Sequence, residues 1–336
     1  NPIMKILVTG GAGFIGSAFI RKLLETKKYE ILNIDNLSYA GNLNNIPNKD
    51  NNYEFIELDI SNYNDLSIAI NDFKPVKIFN FAAESHVDRS IRSSKNFLTT
   101  NIIGTYNILE SIRSHPTLIK DDQFIFHHIS TDEVYGDIDV NEQPPSENSP
   151  YNPSSPYSAT KASSDMLVMA WNRTYKIPTI ITNCTNNYGP YQYPEKLIPV
   201  IILNALHKKK IPLYGDGEQI RDWIHVNDHV DGLINLMENG ISGNSYHFGG
   251  NNQINNFFVA QEICRIIEKR IGDGFNYQSL IKYVDDRPGH DKRYALDINK
   301  SKRLLNWSPK ISFEEGIENT VEWYLNNKDW WIELYK

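Results

Sequence analysis

Short apolar runs alternate with amphipathic stretches through the first half of the chain, and that alternation sets the class of fold to expect. Runs at 5–9, 30–35, 54–57, 77–81, 124–130 and 179–184 are brief and draw on Ile, Val, Phe and Thr, as buried strands do. Between them, 14–25, 65–73, 97–114 and 158–175 repeat apolar side chains at helical spacing. Such an order predicts right-handed crossovers and a parallel sheet covered by helices on both faces, with function at the carboxyl ends of the strands. Beyond about Tyr188 the elements shorten and Pro, Gly and Asn become frequent, with further helical patterns at 259–271 and 314–326. No internal repeat is present.

The first strand runs into Gly10, Gly11, Gly13 and Gly16, with a helix opening at Phe14 and Ile15. Glycines there permit a tight turn and a close approach of backbone to a pyrophosphate, while the helix N-terminus supplies free N–H groups and a positive dipole end. The second strand ends in Asp35, about 20 residues past the last glycine, where a carboxylate holds an adenosine ribose and repels the 2′-phosphate of NADP. The expectation is an α/β chain built on a Rossmann-type doubly wound parallel sheet that binds NAD, mainly residues 1–187. A smaller mixed α/β lobe for substrate spans mainly 188–336, with segments interleaved between the two.

Charge narrows the partners. Lys and Arg number 34 against 41 Asp and Glu, a net charge of −7, which argues against nucleic acid; the one dense cationic run, 207–210, is short. Two cysteines, Cys184 and Cys264, lie in apolar contexts that suit buried free thiols in a reducing compartment. No run reaches the roughly 18 apolar residues of a membrane span and no charged-then-apolar leader opens the sequence, so a cytoplasmic location without a membrane partner is expected. His86, His127, His128 and His225 lack metal-ligand spacing with acids or cysteines, and no metal is expected.

Tyr157 and Lys161 stand four apart, which on a helix brings them to one face. A free tyrosine titrates near about 10, so a neighbouring ammonium and the positive nicotinamide ring are needed to lower it before the phenol can act as a base. Ser130 and Thr131 close the fifth strand, within reach of the same substrate oxygen. Together, the stretch 9–16, Ser130-Thr131 and the Tyr157/Lys161 pair resemble the extended short-chain dehydrogenase/reductase superfamily, whose members nearly all use NAD and act mainly on nucleotide sugars. Within it, Thr131-Asp132-Glu133-Val134-Tyr135-Gly136 resembles the dTDP-glucose 4,6-dehydratases. Further similarity at 38–42, 81–90, 186–199, 214–217, 221–223 and 287–291 covers most of the chain in the family's order. The glycine and Tyr/Lys motifs identify only the superfamily; the Asp-Glu pair and Tyr193-Pro194-Glu195-Lys196 are more specific.

The resemblance implies conversion of dTDP-glucose to dTDP-4-keto-6-deoxyglucose, in a deoxysugar pathway such as that to rhamnose. Water is hard to remove across C5 and C6 because the C5 proton is not acidic; a ketone at C4 makes it so. By family analogy Tyr157, assisted by Thr131 and Lys161, takes the C4 hydroxyl proton as two electrons pass to NAD. Glu133 then removes the C5 proton, Asp132 protonates the departing C6 hydroxyl, and the electrons return at C6. Burial and mutual repulsion would keep Asp132 protonated.

Family analogy also assigns Gly10, Gly13, Phe14, Ile15, Gly16, Asp35, Asn36, Asp59, Ile60, Ala82, Tyr157 and Lys161 to the cofactor. To the substrate it assigns Glu84, Ser85, Asn186, Asn187, Lys196, Leu197, Arg221 and Arg287, the arginines lying against phosphates that a guanidinium fork fits. A homodimer through the helices at 97–114 and 158–175 is implied as well. One departure stands out: relatives usually carry arginine where this chain has Asn183. The competing readings are a nucleotide-sugar epimerase or decarboxylase, neither of which requires Asp132-Glu133, and a non-catalytic NAD-binding sensor, which would not require Tyr157 and Lys161.

Overall fold

Period-two alternation along the first strand decides how the two faces of the sheet are covered. In the computed structural model, which describes residues 3–47 and 49–335, β1 (Met4–Thr9) sends Ile6 and Val8 to one side and Leu7 to the other. On the first side, α1 (Phe14–Thr26) lays Phe19, Ile20 and Leu23 against them. On the second, Leu7 shares a core with Leu66 and Ile70 of α2 (Tyr63–Phe73). Both faces are therefore dry, as a parallel sheet requires.

The sheet continues through β2 (Tyr29–Asp35), β3 (Tyr53–Glu57), β4 (Lys77–Asn80), β5 (Ile125–Thr131) and β6 (Thr179–Cys184). Its seventh strand, β10 (Ser245–Phe248), comes from the second half of the chain and pairs with β6. Strand order is β10-β6-β5-β4-β1-β2-β3, and every pairing is parallel. The order reverses between β1 and β4, which opens a crevice at their carboxyl ends, where doubly wound sheets bind ligands. After β4 come α3 (Val87–Arg92) and then one rod made of α4 (Lys95–Phe97), a π-helical stretch Leu98–Gly104 and α5 (Thr105–Ser114). The rod packs on α6 (Pro156–Tyr175).

The remaining strands build two small sheets. β7 (Asn186–Tyr188), β9 (Ile220–His225) and β11 (Gln253–Asn255) form one, with β9 parallel to β7 and antiparallel to β11. β8 (Ile211–Tyr214) pairs with β12 (Ile281–Val284) in the other. Helices α7 (Leu197–Leu206), α9 (Asn256–Ile271), α11 (Phe313–Asn326) and α12 (Lys328–Trp331) close a separate core around Ile202, Trp223, Ile263 and Tyr324. By contrast α8 (Val226–Asn239) packs on α1 and α10 (Asn299–Leu305) on β10, so pieces of the second half complete the main sheet.

Candidate active site

The acid pair is placed by a cap. At the end of β5, Thr131 Oγ1 accepts the Glu133 N–H at 3.2 Å and donates to Asp132 Oδ1 at 3.2 Å, which starts the 3-10 turn Asp132–Tyr135. Opposite, Ser155 and Ser158 form a reciprocal capping box and Pro156 opens the first turn of α6. Tyr157 and Lys161 follow one turn apart, both buried, and Lys161 Nζ donates to Ile129 O at 2.8 Å. All five side chains line one cavity of about 560 Å³ at the carboxyl ends of the strands.

Burial dominates the electrostatics. It pushes Asp132 well above the usual carboxylate range, and the Glu133 charge adds to the push. Asp132 Oδ2 is buried without a hydrogen-bond partner, which adds to the cost of a charge there. Glu133 is also raised by burial, but Arg221, Arg287 and Lys196 pull it back. At Tyr157 burial raises the phenol well above its usual value, the Glu133 charge raises it further, and the Thr131 hydrogen bond opposes them. The lysine ammonium is itself weakened by burial. Lowering Tyr157 therefore needs a further positive charge in the cavity.

The glycine turn fits a dinucleotide. Gly10 has φ +72° and a Cβ there would lie 2.5 Å from Ala82 N; at Gly16 it would lie 2.3 Å from Gly10 O. Gly13 differs, since its Cβ would meet only Gly10 O at 3.3 Å, so internal packing alone does not demand glycine and the space belongs to the cavity. No side chain caps α1, which leaves its first-turn N–H groups free for a pyrophosphate. Phe14, Ile15 and Gly16 line the larger cavity; Asp35, Asn36, Asp59, Ile60 and Ala82 line an adjoining one of about 90 Å³, and Gly10 and Gly13 line both. Asp35 also braces the turn, accepting Ala12 N–H at 2.9 Å and Leu37 N–H at 2.8 Å.

On the substrate side, Ser85, Asn186, Asn187, Lys196, Leu197, Arg221 and Arg287 line the larger cavity, whereas Glu84 lines the smaller. Arg221 is held by Ile220 O and Asp291 O, both at 2.9 Å, and lies over the Tyr294 ring. Arg287 Nη1 is 3.3 Å from Asp88 Oδ1, and Lys196 Nζ donates to Ser85 O at 2.8 Å. Three cations thus converge on a cavity that also holds two acids, an arrangement suited to a doubly charged phosphate ester with a reacting sugar attached. Among the described residues no cluster could hold a metal ion.

A family model described as GDP-mannose 4,6 dehydratase matches residues 7–320. A dTDP-glucose 4,6-dehydratase of Escherichia coli is 50% identical over 345 residues, covering 98% of this chain and 95% of that protein. The chain belongs to the dTDP-glucose 4,6-dehydratase family. A solved member from Bacillus anthracis, in complex with NAD, is 43% identical with a TM-score of 0.88, covering 98% of this chain and 99% of that one. Another, from Streptomyces venezuelae with NAD bound, is 40% identical with a TM-score of 0.91, covering 98% and 100%.

Within this dehydratase-family fold, Asn183 has a definite job where relatives were expected to carry arginine: its Nδ2 donates to Thr131 O at 2.9 Å, bracing the strand end that bears the acids. Other cavity residues escaped the sequence reading. Tyr214 and His290 lie inside motifs already noticed, yet their direction into the cavity was not readable. Trp223 likewise lies in the noticed stretch 221–223, whereas Asn256 carried no signal; each lines the cavity with a buried polar atom, Nε1 and Oδ1, that lacks a partner.

Proposed function

We infer that this protein is a dTDP-glucose 4,6-dehydratase, converting dTDP-glucose to dTDP-4-keto-6-deoxyglucose by transient oxidation at C4, loss of water across C5–C6 and reduction at C6. The observation that carries this reading is the buried Asp132 beside Glu133, in one cavity with Tyr157 and Lys161. Neither an epimerase nor a decarboxylase needs a second acid there. Bound NAD supplies reversible two-electron oxidation at the sugar's C4, with the electrons returned at C6 and no net redox change. Gly10, Gly13, Phe14, Ile15 and Gly16 cradle its pyrophosphate, and Asp35, Asn36, Asp59, Ile60 and Ala82 its adenosine.

The protons move on this chain's own groups. Tyr157 Oη, in contact with Thr131 and backed by Lys161, takes the C4 hydroxyl proton. The Glu133 carboxylate takes the C5 proton, Asp132 gives its own to the leaving C6 oxygen, which departs as water, and C5 is given a proton again when C6 is reduced. Arg221, Arg287 and Lys196 hold the diphosphate, while Ser85, Asn186, Asn187 and Leu197 surround the sugar and its link to the nucleotide; Glu84, expected there, lines the cofactor's smaller cavity instead. The main sheet carries the cofactor and the smaller lobe the nucleotide sugar.

The finer setting belongs to the same reading. Two copies pair through α6 and the rod of α4 and α5, whose apolar side chains Leu98, Ile103, Met166 and Met169 are 40–52% exposed. Two free buried thiols suit a reducing cytoplasm, and the product feeds deoxysugar synthesis of the rhamnose type. No described helix is long and apolar enough to cross a membrane.

Turnover of dTDP-glucose in deuterated water, followed by NMR, tests the reading. A 4-keto-6-deoxy sugar with solvent deuterium at C5 is expected; unchanged substrate or a C4 epimer would refute it. Glu133→Gln should still reduce the bound cofactor on mixing with substrate while losing at least about 100-fold in water elimination, the usual scale for removing a general base. Undiminished elimination would remove Glu133 from that role.

A further inference from the structure

One helical turn past Lys161, a second buried charge lies outside the chemistry described so far. Asp165 is fully buried, and its Oδ2 accepts from Ser130 Oγ at 2.7 Å and Tyr151 Oη at 3.0 Å. Its Oδ1 lies 3.2 Å from His128 Nε2 without a hydrogen bond, since that ring nitrogen meets Ser164 Oγ at 3.1 Å. The tautomer of that histidine follows from its other side: Asn80 Nδ2, which can only donate, lies 3.2 Å from Nδ1, so Nδ1 accepts and Nε2 carries the proton. Asn80 is oriented in turn by Thr9 Oγ1, 2.6 Å from its Oδ1. Two hydroxyls thus donate to Asp165 Oδ2, an arrangement that suits a carboxylate.

Among the described residues neither buried charge has a direct opposite partner. Asp165 meets no Lys or Arg within 4.0 Å, and Lys161 Nζ bonds only the carbonyl of Ile129. The two are nevertheless coupled through consecutive residues of β5, because Lys161 holds Ile129 O while Asp165 holds Ser130 Oγ. An isolated ammonium in such a place would shed its proton, and an isolated carboxylate would take one up.

Resting on the dehydratase reading above, we propose that Asp165 is a positioning residue for the reaction. Its charge keeps Lys161 an ammonium beside Tyr157, and its bond to Ser130 fixes the strand end from which Thr131, Asp132 and Glu133 project.

The groups that face this pair come from four elements. Tyr157 is on α6, His128 on β5, Cys184 on β6, and Tyr135 and Tyr151 lie in the segment between β5 and α6. None supplies a rival charge. Burial and the Lys161 charge keep His128 neutral, burial lifts the Cys184 thiol to about 12, and burial together with the Asp165 charge holds both tyrosines above their usual range. Burial weakens the Lys161 ammonium, and Asp165 is the main group opposing that loss.

The test is the pH profile of kcat in Asp165→Asn, alongside the native protein. Loss of the charge weakens Lys161, and the descending limb set by its ammonium should move down by about one pH unit, a roughly tenfold loss on that limb, with KM within about twofold. Asp165→Glu should bring the limb back. A folded Asp165→Asn protein whose limb stays in place would overturn the proposal, even if its rate were lower throughout. A second measurement needs no turnover and covers the case in which Asp165→Asn does not fold: a thermal-melting cycle with Lys161→Met. Lys161→Met alone leaves Asp165 uncompensated and lowers Tm; the double variant should melt above it. A double variant that melts at or below Lys161→Met would sink the pairing. An inert native protein would refute the dehydratase reading instead, and leave the melting cycle to decide this one.

Discussion

Asp132 and Glu133 are adjacent and chemically alike, so only their surroundings can give them different tasks. Asp132 is 3% exposed and lacks a cation close enough to offset its burial, whereas Glu133 opens to the cavity among Arg221, Arg287 and Lys196. The difference carries a stability consequence with a definite sign. A carboxyl group whose folded pKa is raised binds more protons folded than unfolded, so unfolding free energy falls as pH climbs from the unfolded value near about 4 toward the raised one. Asp132→Asn removes that penalty. It should melt higher than the native protein at pH 7, by roughly 2–4 °C for each kcal/mol recovered, with the gain shrinking toward pH 4, while dehydration is lost. Calorimetry at several pH values checks this, and a lower Tm at pH 7 would contradict a buried acid held against its charge. The two acids, Tyr157 and Lys161 were legible in sequence because their spacing is local. Arg287 against Asp88, 199 residues apart, was not, and neither were the bonds of Ser130 and Tyr151 to Asp165, which join separate segments.

The glycine turn shows how one element separates folding from binding. At Gly10 a side chain meets the backbone of Ala82 and a left-handed φ, strain worth about 1–2 kcal/mol before the clash is counted. At Gly13 it meets almost nothing but the space reserved for the pyrophosphate. Gly10→Ala should therefore lower the melting temperature of cofactor-free protein by several degrees. Gly13→Ala should keep the stability of the cofactor-free protein within roughly 0.5 kcal/mol yet bind NAD at least tenfold more weakly, read by fluorescence titration. Equal effects on both properties at both positions would show that the turn is not divided in this way. Elements of this length were readable because periodicity and punctuation agree: the strand expected at 179–184 has those bounds, and the helix expected at 158–175 begins at Pro156, one residue after its capping serine. The four-residue strand β10 was hidden, since Ser245–Phe248 is too short to show a period and joins the sheet only because β6 leaves an edge for it. The π-helical stretch Leu98–Gly104 was hidden for another reason, as it keeps the apolar spacing of an ordinary helix.

Across the whole molecule, the two parts of the chain meet at the cavity through charged contacts. Asp88, after β4, takes both Tyr214 Oη at 2.7 Å and Arg287 at 3.3 Å, while Tyr39, after β2, donates to Glu195 at 2.9 Å. Sequence order implied two interleaved parts but not which residues join them, because such contacts follow from tertiary approach alone. The outer face of α6 and the adjoining rod tells the same lesson at larger scale. Helical spacing shows wide apolar faces, and the fold shows what is left over once one face is buried: Leu98, Ile103, Tyr106, Met166, Met169 and Tyr175 remain outside. Covering them with the same helices of a second copy gives a four-helix contact, a self-complementary arrangement of the kind two-fold dimers use. The consequence reaches the chemistry, since α6 carries Tyr157 and Lys161 on its inner face. Asn101, in the π-helical stretch, holds Glu84 by both its N–H and its carbonyl, at 2.9 and 3.0 Å, and Thr160 at 3.0 Å. Met166→Glu places a charge in the middle of the apolar face without touching the cavity. Light scattering should report a dimer for the native protein and a monomer for this variant, with Tm lowered and kcat reduced several-fold as Thr160 and Lys161 lose support. A native protein already monomeric at micromolar concentration would remove the dimer, and a monomeric Met166→Glu with full kcat would keep the dimer but detach it from catalysis.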